Sequence, residues 1–561
     1  MFSNRICDVC LVGLVCVALT GTSLWAGTTP KSLVFVKGGV ADAKLVCPLG
    51  GALKQGKGHV VVKGLDTHLV TRMGIGAGEF HVKARLSIHG LRRSAAAFKL
   101  GHTSSFGFEG GHGKMYITGP VFKGARGKPI GNPADFLKDE RPFEFEAIRE
   151  GKALRLLIDG KKAYEQTVAT GALGCMSFTG RRSTLHIEEF SATANFVPVE
   201  LGNVSPNGIW LHPRVRWMST LRMGPYVTLA DGGILTVEGR SILVSRDHGK
   251  TWKAVWSFPK GQKMAFSGER AVISTRKGVL VSVFLNQALR KWGWDSTKHV
   301  PIPNARSDVW SVRSLDDGKT WGDAVMLYGD SYSGCIRGLV EASNGNLVAS
   351  VQGFRPKLLR HATMPYVSTD AGKTWRRTDK MLDLPGKGHH DGVIEGTLMT
   401  LKDGRVWNLL RTSYDQLYSS FSADGGVTWS DVAPSGIDAS DGPPVLLRLA
   451  DGRVLLLWNR IYPEGKTTFR RSGGSERTLK YVSNHREELA LTVSSDEGKT
   501  WTKPVVLARN KGSRVSYPYA FEHRPGELWA TTMQGGLRIG LTLADFVKPG
   551  AETRAMKDWP W

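Results

Sequence analysis

One eight-residue phrase occurs five times in the C-terminal two thirds of this chain. It reads SRDHGKTW at residues 245–252 and returns as SLDDGKTW, STDAGKTW, SADGGVTW and SSDEGKTW. Successive copies are about 54 to 72 residues apart. A repeat of this length holds three or four short strands, and such repetition is typical of a β-propeller in which each repeat forms one blade. We therefore predict a propeller over residues 209–561.

The phrase itself has a structural explanation. Its aspartate lies in a turn where the carboxylate can accept backbone N–H bonds, and its glycine can adopt a positive φ. The Thr-Trp pair then begins the next strand, and the indole ring packs into apolar space beside it. We therefore expect the five copies to build blades and to take no part in catalysis. Their aspartates are Asp247, Asp316, Asp370, Asp424 and Asp496.

A second pattern marks the innermost strand of each blade. Six segments place one residue eight or nine positions before a turn glycine, and a strongly apolar stretch follows, as in EGTLMTLKDGRVWNLLRTS. Six such segments predict six blades, and the residues that head the inner strands should meet at one end of the central channel. These residues are Met223, Arg270, Arg337, Glu395, Pro443 and Tyr517.

Residues 28–197 follow a different pattern. Short alternating stretches such as FHVKARLSI and KMYITG are separated by glycine-containing turns, and REGKALRLLIDGKKAYE predicts a hairpin around Asp159 and Gly160. This alternation is typical of an antiparallel β-sandwich. It resembles the concanavalin and laminin-G-like jelly rolls, which implies a non-catalytic accessory domain. The whole chain is thus predicted to be all-β, with a linker at residues 198–208 before the propeller.

Residues 1–27 have the pattern of a secretory signal peptide. Arg5 precedes an apolar run that ends in small residues near Ala26, and the run is short for a membrane span. We therefore predict a secreted or periplasmic protein whose mature chain has no membrane span. Removal of this segment takes away three of the six cysteines, so Cys47, Cys175 and Cys335 allow at most one internal disulfide.

The formal net charge of +25 points to an acidic partner. Lys and Arg are spread along the chain without a basic tract, which argues against nucleic acid and leaves an acidic glycan or a plain solvated basic surface. The loop GKGHHDG contains His389, His390 and Asp391 and is interpreted as a polar loop, with a metal cluster as the alternative. We expect neither a metal nor a cofactor.

The residues at the head of the inner strands suggest a site for an anionic sugar. Arg411 and Arg486 lie on the strands that follow and add guanidinium groups. A planar guanidinium pairs bidentately with a carboxylate. A tyrosine beside a glutamate suits a sugar that carries a carboxylate on its anomeric carbon, because a phenol nucleophile avoids the repulsion that a carboxylate nucleophile would meet.

These motifs resemble the sialidase (neuraminidase) superfamily over about residues 209–545. The resemblance identifies the repeated phrase as the Asp box of that superfamily. It implies that Tyr517 in VSYPYA is the nucleophile and that Glu395 in VIEGTL is the base that activates it. It also implies that Arg411 in LLRTS and Arg486 in HREELAL are two of three arginines that hold the substrate carboxylate.

Two further roles implied by the resemblance have alternatives. The first clamp arginine is assigned to Arg270 in ERAVIS, although the proline of the family's Arg-Ile-Pro motif is missing; Arg222 is the alternative and Arg337 could supplement either. The acid/base is assigned to Asp295 in KWGWDSTKHV, with Asp308 as the alternative. The Glu-Gly pair in VIEGTL also replaces the family's Glu-Pro, so the sugar specificity stays open.

The predicted function is therefore a secreted glycoside hydrolase. It would remove terminal sialic acid or a related acidic sugar from glycans with retention of configuration, without a cofactor. Two alternatives remain open, namely a non-catalytic glycan-binding propeller and a hydrolase of another uronic or sulfated sugar.

Overall fold

The structure is a computed structural model, and it describes most of the chain from residue 30 onward. The described residues are 30–49, 53–91, 96–101, 104–110, 113–122, 124–199, 204–205, 207–295, 297–298, 300–329, 332, 336–386, 388, 390–474 and 480–560. The predicted signal peptide, Cys335 and His389 lie outside them. Regular structure in the described part is β-strand, apart from short 3₁₀ helices at Pro133–Asp135, Gln287–Leu289, Pro356–Leu358, Leu543–Asp545 and Met556–Asp558.

The N-terminal part forms a network of antiparallel strands. The strands are β1 (Lys31–Lys37), β2 (Val40–Ala41), β3 (Val46–Leu49), β4 (Lys54–Gln55), β5 (Val60–His89), β6 (Ala97–Leu100), β7 (Ser104–Gly107), β8 (Met115–Gly119), β9 (Gly124–Gly131), β10 (Phe143–Glu150), β11 (Ala153–Ile158), β12 (Lys161–Thr167) and β13 (Gly174–Pro198). Their main order is β12-β11-β10-β5-β13-β6-β7-β8-β9. One segment of β13 lies between two segments of β5, since residues 184–187 of β13 pair on one side with residues 60–63 of β5 and on the other with residues 86–89.

Alternation along these strands explains the core. In β10 (FEFEAIRE) Phe143, Phe145 and Ala147 are buried and Glu144 between them is exposed, which is the pattern of a strand with one buried face. The predicted hairpin joins β11 and β12, and its turn residues Asp159 and Gly160 have φ values of 48° and 73°, as a two-residue turn of this kind requires. The buried cysteines Cys47 and Cys175 are free thiols. The jelly-roll topology stays a prediction.

The remaining strands form six sheets of four or five strands and three small two-stranded pairs. Two strands precede the blades, β14 (Trp210–Leu211) and β15 (Val215–Trp217). Blade 1 consists of β16 (Tyr226–Thr228), β17 (Ile234–Glu238), β18 (Ser241–Ser245) and β19 (Lys253–Ser257). Blade 2 consists of β20 (Phe266–Ser274), β21 (Leu280–Asn286), β24 (Val309–Ser314) and β25 (Gly322–Tyr328), with the hairpin β22 (Trp294–Asp295) and β23 (Val300–Pro301) inserted. Blade 3 consists of β26 (Ile336–Glu341), β27 (Leu347–Arg355), β28 (Arg360–Ser368) and β29 (Arg376–Arg377).

The second half of the ring has the same plan. Blade 4 consists of β30 (Val393–Thr400), β31 (Val406–Thr412), β32 (Gln416–Ser422) and β33 (Ala433–Asp438). Blade 5 consists of β34 (Val445–Arg448), β35 (Val454–Trp458), β38 (Glu488–Ser494) and β40 (Val505–Arg509), with the inserted pair β36 (Arg471–Ser472) and β37 (Val482–Ser483) and the short β39 (Trp501–Thr502). Blade 6 consists of β41 (Ser516–Arg524), β42 (Glu527–Gln534) and β43 (Arg538–Thr542), and β44 (Thr553–Arg554) pairs with β39.

The ring closes by pairing its first strands with its last blades. β14 adds to the outer edge of blade 5 beside β40, and β15 supplies the fourth strand of blade 6 beside β43. The first strands of successive blades contact one another in order, and that of blade 6 contacts that of blade 1. The predicted all-β class and the six-bladed arrangement are therefore confirmed. The domain limits 28–197 and 209–561 stay a proposal that agrees with where β13 ends and β14 begins.

Each Asp box lies in the turn after the third strand of blades 1 to 5. In the first copy Asp247 accepts hydrogen bonds from Ser245 Oγ at 2.8 Å, from the Thr251 N–H at 2.8 Å and from Thr251 Oγ1 at 2.6 Å. These bonds, that from Thr251 first, lower the pKa of Asp247 to about 2. His248 and Gly249 have φ values of 53° and 79°. The same bonds recur in the other four copies.

The sixth blade has no Asp box for a topological reason. Its third strand, β43, and its fourth, β15, lie at opposite ends of the propeller sequence. No turn joins them, so there is no place for a phrase whose hydrogen bonds close within eight residues. Five boxes in a six-bladed ring follow from the way the ring is closed.

Candidate active site

Several chemically distinctive residues lie at one end of the ring. In an antiparallel blade the first strand starts where the second ends and where the third begins. Arg337, Glu395 and Tyr517 lie near the start of the inner strands β26, β30 and β41, Arg411 lies near the end of β31, and Arg486 lies just before β38. All five are therefore at the end opposite to the Asp boxes.

Tyr517 and Glu395 form a direct pair across the channel. The Tyr517 hydroxyl donates a hydrogen bond of 2.8 Å to Oε1 of Glu395, although the two residues come from blades 6 and 4. Both have a left-handed backbone, with φ values of 62° and 50°, which residues other than glycine rarely adopt. The register of β30 shifts between Ile394 and Thr397, and a bulge of this kind redirects a side chain. The Glu395 N–H donates to Oε1 of Gln352 at 3.2 Å, which fixes the bulge.

Arg411 links this pair to a second carboxylate. Its side chain is 1% exposed. Nη1 donates to the Tyr517 hydroxyl at 3.2 Å and to Oε2 of Glu395, and Nε donates to Oδ1 of Asp441 at 2.7 Å. Nη2 lies 2.6 Å from the same Asp441 oxygen, but its N–H groups are not aimed at a hydrogen-bond acceptor among the described residues. One guanidinium therefore orients the phenol, the glutamate and the aspartate.

Two more guanidinium groups flank the Tyr517 ring. The central carbons of Arg337 and Arg486 lie 5.5 and 5.6 Å from the ring centre, within the range of a cation–π contact. Arg486 Nη2 donates to the backbone oxygen of Asp441, and its buried Nε has no hydrogen-bond partner among the described residues. Arg337 Nη1 lies 3.5 Å from Oε2 of Glu269. Tyr517 is thus surrounded by three guanidinium groups.

The electrostatics keep the phenol protonated. Burial and then the charge of Glu395 raise the pKa of Tyr517, and the smaller effects of Arg411 and Arg486 oppose them. For Arg411, burial favours the neutral form, but the charges of Asp441 and Glu395 prevail and raise its pKa. At neutral pH the site therefore holds a neutral phenol and a charged guanidinium. The phenol needs a base before it can act as a nucleophile, and Glu395 is within reach of its proton.

The structure does not bring the Arg270 side chain into this cluster. Its buried guanidinium donates to three backbone carbonyls, those of Met223 at 2.7 Å, Ser267 at 3.0 Å and Gly224 at 3.2 Å. Burial lowers its pKa. These contacts fix the wall between blades 1 and 2, which differs from the clamp role assigned from the sequence. The third guanidinium beside the tyrosine is that of Arg337. The other alternative, Arg222, lies 3.5 Å from Glu238 in a half-exposed ion pair.

The candidate acid/base residues lie elsewhere on blade 2. Asp295 is in the inserted hairpin, and its Oδ1 accepts the N–H groups of Thr297 and Lys298, both at 3.0 Å. Asp308 is buried and accepts a hydrogen bond of 2.5 Å from Nε of Arg306. The hairpin joins the second and third strands, so it lies at the same end as the arginines. Among the described residues, however, no hydrogen bond or ion pair joins either aspartate to Tyr517 or Glu395.

Two carboxylates of the cluster are absent from the sequence-based prediction. Glu269 directly precedes Arg270 on β20 and is 8% exposed. Asp441, 6% exposed, lies in the loop between β33 and β34. Glu269 is the sequence neighbour of Arg270, and neighbours on a strand face opposite sides. The register shift between Phe266 and Arg270 decides which of the two faces Arg337, and strand periodicity does not show it. For Asp441 the only signal is its position two residues before Pro443, which heads the inner strand of blade 5.

The described residues contain no group of three or more His, Cys, Asp or Glu in an arrangement that could hold a metal ion. In the loop that sequence analysis considered for a metal, the Asp391 carboxylate accepts hydrogen bonds from the Gly388 N–H at 2.8 Å and from Ser413 Oγ at 3.1 Å. Its oxygens thus brace the loop. No helix in the described part of the chain is long and apolar enough to cross a membrane.

Comparison with known proteins gives one domain match and several distant similarities. The sequence model of the family described as "BNR repeat-like domain" matches residues 268–529, from the first strand of blade 2 to the second strand of blade 6. A curated sialidase from Vibrio cholerae serotype O1 is 23% identical over 252 residues, covering 39% of this chain and 30% of that protein. This chain thus spans less than a third of the length of the curated relatives it matches.

Among solved structures, the sequence identities to this chain are lower than that of the curated sialidase. A protein described as of unknown function from Dyadobacter fermentans is 18% identical, with a TM-score of 0.40, and covers 59% of this chain and 98% of its own. The NanB sialidase from Streptococcus pneumoniae is 12% identical, with a TM-score of 0.41, and covers 84% of this chain and 96% of its own.

Proposed function

We propose that this chain, which carries a BNR repeat-like domain over residues 268–529, is a glycoside hydrolase of the sialidase type. It removes terminal sialic acid or a related acidic sugar from glycans by a retaining mechanism. The curated relatives from Vibrio cholerae are sialidases, which agrees with this proposal. The signal-type sequence at residues 1–27 makes export from the cytoplasm part of it.

The observation that carries the proposal is the buried pair of Tyr517 and Glu395 inside three arginines. A 2.8 Å hydrogen bond joins the phenol to the carboxylate, and Arg337, Arg411 and Arg486 surround the ring. A phenol nucleophile with a carboxylate base is unusual, and it is suited to a sugar whose anomeric carbon carries a negative group.

The covalent step follows from this geometry. Tyr517 Oη attacks the anomeric carbon while its proton passes to Glu395, and the bond from that carbon to the leaving oxygen breaks. The leaving oxygen needs a proton, for which the sequence proposes Asp295. In the second step water attacks the same carbon and gives a proton to the group that protonated the leaving oxygen, while the bond to Tyr517 breaks and the phenol oxygen regains its proton from Glu395. Two displacements at one carbon retain its configuration.

The arginines hold the substrate carboxylate in this proposal. Each guanidinium already faces a protein carboxylate, so the pocket is balanced in charge before substrate enters. Arg411 Nη2 is ion-paired with Asp441 at 2.6 Å, and the buried Nε of Arg486 has no hydrogen-bond acceptor in the described part of the chain. In this proposal the substrate carboxylate is bound by N–H groups of Arg337, Arg411 and Arg486. A substrate carboxylate bound by these N–H groups would lie next to the Tyr517 ring. The anomeric carbon of the sugar would then be within reach of the Tyr517 hydroxyl.

The test is turnover by the Tyr517→Phe variant. A fluorogenic sialoside and a panel of other acidic glycosides, with neutral glycosides as controls, identify the substrate of the wild-type protein. We expect Tyr517→Phe to lower kcat at least about a thousandfold, because it removes the nucleophilic oxygen. The matched control is Tyr226→Phe, which removes another buried hydroxyl, one bonded to the backbone of Arg222. Full activity in Tyr517→Phe eliminates the proposed nucleophile.

The same panel separates the alternatives. Binding of acidic sugars without turnover would make the chain a glycan-binding propeller. Turnover of a uronic or sulfated glycoside, but not of a sialoside, would keep the mechanism and change the sugar.

A further inference from the structure

The proposed reaction needs a group that gives a proton to the leaving oxygen. Glu395 is engaged with the Tyr517 hydroxyl and with Arg411, so it serves the nucleophile. Asp441 is held by Nε of Arg411 and lies 3.6 Å from Arg486, so it serves the arginines. Neither carboxylate is in a position to serve the leaving group as well.

Asp295 is poorly placed for this role. Its Oδ1 closes a local turn by accepting two backbone N–H groups, those of Thr297 and Lys298. The residue is on a two-residue strand of an inserted hairpin, β22, which pairs with β23. Its carboxylate therefore has a structural explanation that does not involve the tyrosine.

Glu269 lies in the wall of the same pocket as Tyr517. It is 8% exposed, and its Oε2 is 3.5 Å from Nη1 of Arg337. The same Arg337 guanidinium lies 5.5 Å from the centre of the Tyr517 ring. Glu269 and the ring thus contact one side chain. The negative charge of Glu269 also contributes to raising the pKa of Tyr517, after the larger effects of burial and Glu395.

The local backbone explains why Glu269 and not Arg270 faces the pocket. Ser267 Oγ accepts the N–H of Glu269 and donates to its carbonyl oxygen, both at 2.9 Å. The pairing of β20 with β21 shifts register between Phe266 and Arg270. This turn interrupts the alternation of side chains along the strand. As a result the Glu269 side chain faces Arg337 and the Arg270 side chain faces the backbone of blade 1.

We propose that Glu269 is the general acid and base of the reaction, an inference that rests on the proposed function. In the first step the Glu269 carboxylic acid gives its proton to the leaving oxygen as the bond to the anomeric carbon breaks and the bond to Tyr517 forms. In the second step the Glu269 carboxylate takes a proton from the attacking water as the bond to Tyr517 breaks. Each cycle returns Glu269 to its acid form.

Arg337 explains how an ion-paired glutamate becomes a proton donor. In the free protein Arg337 is an ion-pair partner of Glu269, at 3.5 Å. When the substrate carboxylate binds among the arginines, it takes a share of the Arg337 charge and places a second negative group nearby. Two neighbouring carboxylates favour a proton on one of them, so binding of the acidic sugar itself loads the acid.

The experiment compares Glu269→Gln and Asp295→Asn on two substrates that share one sugar. One substrate releases an aryl leaving group that departs without a proton, and the other releases a sugar or alkyl alcohol that needs one. We expect Glu269→Gln to lose about 10²- to 10⁴-fold in kcat/KM on the alcohol substrate and much less on the aryl substrate. Added azide, which attacks without a base, should restore turnover of the aryl substrate and give the glycosyl azide with retained configuration. Asp295→Asn should keep the wild-type ratio.

The ratio of the two substrates is measured within each variant, so partial misfolding does not change it. Equal losses on both substrates in Glu269→Gln, without azide rescue, would overturn the assignment while the proposed function stands. A leaving-group effect in Asp295→Asn instead would return the role to Asp295. Wild-type protein that turns over neither substrate would overturn the proposed function, and the inference with it.

Discussion

The structure predicts that the Asp441 carboxylate makes a measurable contribution to the free energy of unfolding of the propeller. Asp441 accepts from Nε of Arg411 at 2.7 Å and lies 3.6 Å from Arg486. All three side chains are buried. Removing one partner of a buried ion pair leaves an uncompensated charge in a medium of low polarity. The change Asp441→Ala is therefore expected to destabilise the propeller strongly.

The magnitude follows from which contacts survive. In Asp441→Ala, Arg411 keeps Glu395, but Arg486 loses its ion-pair carboxylate, and the expected loss is about 3–5 kcal/mol in the free energy of unfolding. In Asp441→Asn an oxygen acceptor of the same size remains, so only the charge is lost and we expect about 1–2 kcal/mol. The control is Asp431→Asn, whose carboxylate pairs with Lys380 but is 97% exposed; we expect less than about 1 kcal/mol there.

The assay can follow the propeller alone. After Trp25, all tryptophans lie at residue 210 or later, so the N-terminal sheet contributes none of the tryptophan fluorescence. Urea unfolding followed by this signal gives the transition of the propeller for each variant. The expected order of stability is wild type, Asp431→Asn, Asp441→Asn and then Asp441→Ala.

A double-mutant cycle makes the prediction stricter. Combining Asp441→Ala with Arg411→Met removes both partners of one pair, so the combined loss should be smaller than the sum of the single losses by about 1 kcal/mol or more. The reasoning is refuted if Asp441→Ala is as stable as Asp431→Asn. It is also refuted if the two changes add without coupling.

Two other predictions concern residues outside the tyrosine pair. Arg270→Met should lower the unfolding midpoint of the propeller and leave KM for an acidic glycoside unchanged, whereas Arg337→Met should raise KM about tenfold or more, since it removes a charged donor near the substrate. In the N-terminal sheet, burial and then the neighbouring imidazoles of His89 and His59 lower the pKa of His186 to about 4. The unfolded chain takes up this proton near pH 6.5, so the sheet should lose stability as pH falls from about 6.5 to 4. In the His186→Gln variant this loss of stability at low pH should be absent. The unfolding of the sheet is followed by circular dichroism, and tryptophan fluorescence, which reports only the propeller, should not change in the same transition.

The parts of the fold that the sequence predicts are those whose hydrogen bonds are local. An Asp box closes within eight residues, as the bonds from Ser245 and Thr251 to Asp247 demonstrate. Its residue types can therefore be recognised without any knowledge of the rest of the ring. The count of six blades likewise depends on a turn glycine and an apolar strand that adjoin in sequence. The closure of the ring by β14 and β15 depends on partner strands about 300 residues away, so no local sequence pattern predicts it.

The different surroundings of Arg270 and Glu269 have a definite cause. The sequence pattern measures the distance from the head of a strand to its turn, and this fixes a position to within about one residue. One residue is enough to exchange the two faces of a strand. The bulge around Ser267 decides that Glu269 faces Arg337. That bulge depends on a side-chain hydrogen bond that strand periodicity does not encode.

Asp441 illustrates the other limit. It belongs to no strand, and its function comes from two arginines that lie 30 and 45 residues away in sequence. A buried guanidinium needs a carboxylate or backbone carbonyls as acceptors, and at Arg270 the acceptors are carbonyls. Arg411 and Arg486 therefore favour an acid beside them without requiring one. They do not predict which one, because loop residues are positioned by the blades they connect.

The conformations of Tyr517 and Glu395 set the final limit, and they also point to the function. Tyr517 precedes a proline, which favours an extended backbone, and Glu395 lies in a stretch of apolar strand residues; both patterns predict β conformation. The structure has both residues at positive φ, each at a cost of about 1–2 kcal/mol. Such a cost persists only where the surroundings impose it, and here the imposed geometry aims one side chain at the other. Local preference fails at the two residues that the proposed reaction uses, which is where a sequence selected for a site departs from one selected for a fold.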